Sequence, residues 1–170
     1  MSSITVRKAL HEDLPVLKEL LAQQSISLPE NYYDDVVERF KSGAMDIVVA
    51  ILEEDICGYG FVNWQPKYSL YARLDIPEIQ NVNVLPQHRG QGIGGALIEY
   101  AETLVRDDGR DQVGVSVGLH KDYGAAQRLY VKRGYVPDGN GISYDREAVK
   151  AGEIRPVDDD LCLMMVKDLV

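Results

Sequence analysis

Between Val82 and Gly95 the chain reads Val82-Asn83-Val84-Leu85-Pro86-Gln87-His88-Arg89-Gly90-Gln91-Gly92-Ile93-Gly94-Gly95, an apolar strand-like run that turns through four glycines in six residues directly into a helical pattern. That order confines the segment to a strand, a tight turn and a helix. Glycines let backbone approach a ligand without a Cβ in the way. The first N–H groups of a helix point outward with the positive end of its dipole behind them. A phosphate or pyrophosphate is the guest such a loop suits. Close strand-to-helix packing is a plainer reason for glycine, but four of them exceed what a turn alone requires.

The flanking segments read as alternating elements. Ile4 to Lys8 alternates like a strand, and Leu14, Leu17, Leu20 and Leu21 share one face of a helix with Pro15 in its first turn. A second helix is predicted from Pro29 or Glu30 to Lys41, closed at Gly43, and these two helices are expected to wall a substrate cleft. Strands are predicted over Asp46 to Glu53 and Ile56 to Trp64, joined by Glu54-Asp55 as an antiparallel hairpin. Gln65 to Pro77 reads as a loop, followed by a strand from Glu78 to Leu85. Gly92 to Val105 is an amphipathic helix, Val113 to Leu119 a buried strand, Tyr123 to Arg133 another helix, and Leu161 to Val166 a last strand.

Composition narrows the partners. With 170 residues, 45% hydrophobic and 26% charged, the chain is expected to be a single domain, 1–170, with one core. A net charge of -9 argues against nucleic acid and anionic membrane, and it would draw a cationic amine inward, although solubility alone explains such a charge as well. Cys57 and Cys162 lie apart in apolar contexts and read as buried free thiols of a reducing compartment. The N-terminus lacks an apolar signal core and no run nears the roughly 20 residues of a membrane span, so a cytoplasmic location is expected. Asp158-Asp159-Asp160 reads as a solvated turn, because three adjacent carboxylates cannot all face one ion; no metal is expected.

Gly90, Gly92 and Gly95 satisfy G-x-G-x-x-G, with Asp111 some 20 residues on, but a dinucleotide site needs the first strand of a parallel βαβ unit. Here antiparallel strands come first, and Asp111 precedes its strand. A Walker loop fails for want of Lys-Ser or Lys-Thr after the glycines.

Arg89-x-x-Gly92-x-Gly94 resembles the Q/R-x-x-G-x-G/A signature of the GCN5-related N-acetyltransferase (GNAT) superfamily. The likeness extends from Glu78 to Asp138 through Val84 to Pro86, the helix from Gly92, the strand Val113 to Leu119, Ala126-x-x-Leu129-Tyr130, and Gly134-Tyr135. It implies an α/β (mixed α+β) fold: a mostly antiparallel, twisted sheet of about six or seven strands, splayed at the cofactor site and flanked by about four helices.

The resemblance further implies acetyl-CoA as acetyl donor, without a metal. The N–H groups of Arg89, Gly90, Gln91, Gly92, Ile93, Gly94 and Gly95 would hold its pyrophosphate, and the Asn83-Val84-Leu85 edge would take the pantetheine arm as an added strand. Val84 N–H would stabilise oxyanion charge, an effect of about 3 kcal/mol. Tyr130 stands where many relatives carry the tyrosine that serves the departing thiolate. Glu78 stands where some carry a glutamate base, its plain alternative being a solvated carboxylate at the start of a strand. Cofactor contacts are implied at Ala126 and at Tyr123, where relatives often have Asn, so this chain departs from the pattern there. His88 and His120 have no Ser or Cys partner readable from sequence and are taken as surface or hydrogen-bonded side chains. Tyr32, Tyr33, Trp64, Tyr68 and Tyr71 are candidates for an acceptor pocket or for ordinary packing.

The leading expectation is acetyl transfer to a primary amine of a small molecule by direct attack in a ternary complex. Two alternatives stand beside it: a non-catalytic acyl-CoA-binding regulatory module, which would not depend on Tyr130 or Glu78, and an N-acetyltransferase of proteins or peptides. Many relatives pair, so a homodimer is compatible with the resemblance.

Overall fold

The computed structural model describes residues 3–24 and 28–170; Met1 and Ser2, which open the stretch read for a signal core, lie outside the described residues. In chain order the elements are β1 (Thr5–Lys8), α1 (Leu14–Ala22), α2 (Tyr32–Ser42), β2 (Met45–Leu52), β3 (Asp55–Asn63), α3 (Ser69–Leu74), β4 (Glu78–Val84), α4 (Ile93–Asp107), β5 (Gln112–Gly118), α5 (Gly124–Lys132), β6 (Val136–Tyr144), β7 (Glu147–Ala148) and β8 (Leu161–Asp168). Single 3-10 turns cover His11–Asp13, Pro86–His88 and Lys121–Tyr123. The strands hydrogen-bond in the order β1-β2-β3-β4-β5-β8-β6-β7. The mixed, mostly antiparallel sheet is the predicted one, with eight strands rather than six or seven and five α-helices rather than four. The extra strands are β6, whose Gly139 (φ 85) and Gly141 (φ 79) interrupt the alternation that marks a strand in sequence, and β7, whose two residues are too few to show one.

Two compact units emerge, residues 1–64 with 81–101, and residues 65–80 with 102–170. In the first, β1, β2 and β3 form an antiparallel meander. Its tight turn is Glu53-Glu54, both at positive φ (52 and 76), one residue earlier than predicted, because Leu52 pairs with Asp55. Leu17, Leu20 and Leu21 of α1 and Val36 of α2 pack on Ile47, Val49, Tyr59 and Phe61, all buried. Each such side chain contributes about 1.5–3 kcal/mol on leaving water. The spacing of the four α1 leucines seen in sequence is what places them on this face.

In the second unit the first residues of β4 pair in parallel with β5 at Glu78↔Gly114 and Ile79↔Val115, and the ladder is confined to those registers. β8 then pairs antiparallel with β5 over seven residues, Gln112↔Asp168 to Gly118↔Cys162, and with β6 on its other edge. The segment predicted as loop, Gln65 to Pro77, contains α3. Six residues are too few for a readable period; the helix forms because Tyr68, Tyr71 and Ile76 are buried against Met164. Gly114 is required here, since a Cβ would run into the Tyr71 ring. Cys57 and Cys162 are both free and buried, as their apolar contexts predict.

Candidate active site

The glycine loop lies in the first unit. After β4 the chain makes one 3-10 turn, straightens at Arg89, and passes through Gly90 (φ 75) and Gly92 (φ 81) before α4 begins at Ile93. The left-handed backbone at both glycines disfavours any other residue. A Cβ at Gly90, Gly92 or Gly95 would meet nothing within 4 Å, so close packing is not why these three are glycine. The first helical bond runs from Ala96 N–H to Gly92 C=O at 3.0 Å. The amides of Ile93, Gly94 and Gly95 therefore have no helical acceptor, and no acidic side chain occupies the first turn. Arg89 anchors the loop, its Nε donating to Val84 C=O at 3.0 Å. Leu85 N–H donates to Cys57 C=O on β3 at 2.9 Å. By strand alternation the polar groups of Val84 turn to the opposite edge.

Sequence reasoning missed a polar cluster in the same unit. Asn81 adopts φ 53 inside β4, donating from Nδ2 to Tyr32 Oη at 3.1 Å and accepting from Gln24 Nε2 at 3.1 Å. Gln24 Nε2 also bonds Tyr59 Oη, which Asn83 Nδ2 approaches at 3.4 Å. Tyr33 is tied elsewhere, its hydroxyl donating to Leu14 C=O at 3.0 Å. Trp64 donates to Asp46 at 3.2 Å. No local pattern signals the cluster, because its members come from α1's end, α2, β3 and β4.

The second unit brings Glu78 and Tyr130 together. Glu78 is not a solvated carboxylate at a strand start: its exposure is 0%, because the strand begins inside the unit, paired with β5. Its Oε1 accepts from Arg146 Nη2 at 3.1 Å, and that nitrogen also reaches Ser116 Oγ at 3.3 Å. Glu78 Oε2 is buried with no hydrogen-bond partner among the described residues. Such an oxygen is costly unless something else occupies it. Tyr130, 7% exposed, packs edge-on against Tyr135 with centroids 5.5 Å apart. Burial, and then the charge of Glu78, push its phenol up to about 12. No group among the described residues hydrogen-bonds its hydroxyl.

Tyr123 and Ala126 stand at the start of α5, both half-buried. Tyr123 donates to Asp159 Oδ1 at 2.7 Å, and its ring lies where a Cβ on residue 118 would be, which is why that residue is Gly118. His120 is hydrogen-bonded, Nε2 to Asp159 Oδ1 at 3.0 Å. The acidic run is thus more than a solvated turn: Asp159 ties Tyr123 and His120, and Asp158 accepts from Tyr144 Oη at 2.9 Å. Tyr71 is core rather than pocket lining, its hydroxyl donating to Val115 C=O at 3.2 Å and Met165 C=O at 2.6 Å. Tyr68 donates to Asp138 at 2.6 Å. Among the described residues no group of three or more His, Cys, Asp or Glu is arranged to hold a metal, and no helix is long and apolar enough to cross a membrane.

Comparison with known proteins bears on both units. The family model described as an acetyltransferase (GNAT) domain matches residues 44–137, more than half of the chain. An uncharacterized N-acetyltransferase of Archaeoglobus fulgidus is 33% identical over 108 residues, 61% of this chain and 67% of the relative. The aminoalkylphosphonate N-acetyltransferase of Salmonella typhimurium is 33% identical over 76 residues, so that the chain spans 45% of its own length and only 48% of that relative's. Among solved structures, a GNAT-family acetyltransferase from Desulfovibrio desulfuricans superposes with a TM-score of 0.72 at 16% identity, covering 99% of this chain and all of that one. YncA of Salmonella typhimurium, solved with its cofactor acetyl-CoA, gives 0.70 at 18% identity, covering 99% and 95%. At such identities the two structures speak for the fold, while the family match covers β2 to α5 together with the glycine loop, Glu78 and Tyr130. The chain belongs to the GNAT acetyltransferase family, as an acetyl-CoA-dependent N-acetyltransferase.

Proposed function

We propose that the protein transfers the acetyl group of acetyl-CoA to a primary amine of a small molecule by direct attack. The observation that carries this reading is Glu78: a fully buried carboxylate with one oxygen unpartnered, beside a tyrosine whose hydroxyl is also unpartnered among the described residues. An alkylamine with a pKa near 10 arrives protonated, so a base must take a proton before nitrogen can attack. Glu78 Oε2 takes that proton. The nitrogen lone pair then adds to the thioester carbonyl, the C–S bond breaks as CoA leaves as thiolate, and the nitrogen gives up its second proton to solvent to become the amide.

Tyr130 serves the sulfur by hydrogen bonding rather than by full proton transfer. With its phenol near 12 it stays protonated at any working pH, and handing its proton to a thiolate of ordinary pKa about 8.5 is uphill. The thiolate takes its proton from solvent afterwards. In the other unit the uncapped amides of Ile93, Gly94 and Gly95, together with those from Arg89 to Gly92, hold the pyrophosphate. The outward edge of Val84 supplies the N–H for oxyanion charge. A small amine as acceptor is supported by the net charge of -9 and by the likeness to an aminoalkylphosphonate N-acetyltransferase.

The test is thiol release from acetyl-CoA across polyamines, aminoglycosides, amino acids, arylamines and short peptides. Release that depends on a small amine is expected. Release with peptides alone would move the acceptor to proteins, and silence with acetyl-CoA bound would favour a binding module. Gly92→Val, which forces a β-branched residue to φ 81, is expected to weaken acetyl-CoA binding about tenfold or more by calorimetry. Unaltered affinity would remove the loop from cofactor binding.

A further inference from the structure

β6 and β7 are joined by two residues, Asp145-Arg146, since Tyr144 pairs with Glu147. Both are left-handed, at φ 47 and 65, in a connection that Asn-Gly makes at least conformational cost. An arginine therefore stands where glycine is favoured, and its backbone conformation persists only because something else holds it. The turn is tied by Asp145 N–H to Asp160 C=O at 3.1 Å and by the Arg146 side chain, which is 24% exposed and reaches across the sheet to Glu78 Oε1 and Ser116 Oγ through a single nitrogen, Nη2.

The groups facing Glu78 come from three elements and one turn. Tyr71 on α3, Tyr130 on α5 and Cys162 on β8 all feel its charge, and burial, the largest cause in each, pushes all three up, so they face Glu78 as neutral phenols and a thiol. Arg146 is the one cation paired with Glu78 among the described residues. Burial opposes its charge, but Glu78 more than restores it, with Asp145 adding in the same direction. The guanidinium engages one carboxylate oxygen and leaves the other, Oε2, without a partner among the described residues.

We propose that Arg146 is a positioning residue for acetyl transfer: its guanidinium orients Glu78 through Oε1, offsets the carboxylate charge in a buried site, and leaves Oε2 as the oxygen that takes the amine proton. This rests on the reading of Glu78 as the base. Removing Arg146 leaves a buried carboxylate without a counter-charge and free to rotate, so the proton-accepting form is lost while acetyl-CoA binding is not.

A double-mutant cycle tests it, with kcat and KM measured for the amine of the panel above that gives the fastest thiol release. Arg146→Met keeps the aliphatic stem and an equally non-glycine backbone; it is expected to lower kcat about tenfold or more with the KM for acetyl-CoA unchanged. Arg146→Lys should recover turnover to within about threefold of wild type, since a charge within reach of Oε1 is restored. In the Glu78→Gln background Arg146→Met should change kcat by less than about twofold, because the group it acts through is gone. Equal losses in both backgrounds, or full turnover in Arg146→Met while Glu78→Gln is impaired, would overturn the proposal. Full turnover in Glu78→Gln would instead overturn the base assignment on which it stands. Thermal melts accompany each variant, and if Arg146→Met does not fold, Arg146→Gln takes its place in the same cycle.

Discussion

The second unit holds two buried glutamates, and their surroundings differ in one respect. Glu102, on α4, has every oxygen engaged: Oε1 accepts from Tyr135 Oη at 3.0 Å and Arg133 Nε at 3.4 Å, and Oε2 from Arg133 Nη2 and Lys167 Nζ, both at 2.9 Å. Among the described residues Glu78 has one cation on one oxygen and nothing on the other. The tyrosines divide the same way. Tyr135 gives its hydroxyl to Glu102, whereas Tyr130, stacked edge-on against Tyr135, has no hydrogen-bond partner for its own among the described residues and feels the charge of Glu78. A closed carboxylate network rigidifies; an open one retains a lone pair for chemistry, and the fold bears its desolvation cost. On the mechanism proposed above, the glutamate with the fuller set of partners is the structural one.

The sharpest way to break that contrast is Glu78→Gln. We expect kcat to fall by about 10²–10⁴ with a smaller loss of stability than at Glu102, since only one partly exposed cation loses its counter-charge. Glu102→Gln should do the reverse. It strips the counter-charge from both Arg133 and Lys167, whose side chains are 21% exposed, and should lower unfolding free energy by about 3 kcal/mol in urea titrations while turnover per folded molecule holds. If the two variants behave alike, the distinction between open and closed networks has no functional content.

Tyrosine variants sharpen the comparison at smaller scale. Tyr130→Phe is expected to lower turnover about tenfold with acetyl-CoA affinity nearly intact, and unchanged turnover removes Tyr130 from the mechanism. Tyr135→Phe deletes one hydrogen bond to Glu102 and should cost about 1 kcal/mol of stability without touching turnover.

The smallest effect is in acid. Burial alone would raise the Glu102 carboxyl, but Arg133 and Lys167 overcome it and hold the group below its ordinary value. A carboxyl depressed by folding contributes stability that is present above the unfolded value, about 4.3, and is lost as pH falls through the folded one. Wild type should therefore lose stability below about pH 4.3 more steeply than Glu102→Gln, as read by thermal melts across that range. Equal slopes would show that Glu102 is not ion-paired in solution.

Much of this was legible in the chain. The leucines of α1 and the run Ile93, Leu97, Ile98, Ala101 and Val105 in α4 announce their helices and their buried faces, because a 3.6-residue period is a property of consecutive residues. The Arg146 contact was not legible: it reaches Glu78 from 68 residues away, in a two-residue turn that carries no local motif. No local pattern marks Glu102 as buried, yet its side chain is 4% exposed, because its partners Arg133 and Lys167 arrive from a helix end and from β8. α3 escaped notice because Tyr71 is held by carbonyls of two strands that lie 44 and 94 residues away.

Sequence by itself pointed to the family and to the turn of Arg89 to Gly95 into a helix, and singled out Glu78 and Tyr130 as candidates, since each of these is written in neighbouring residues or in a short spaced motif. Only the tertiary structure decided that Glu78 is buried, that one of its oxygens is held by Arg146 and the other by nothing among the described residues, and that both oxygens of Glu102 are engaged. Those are matters of desolvation and hydrogen-bond satisfaction, which depend on groups brought together from distant parts of the chain.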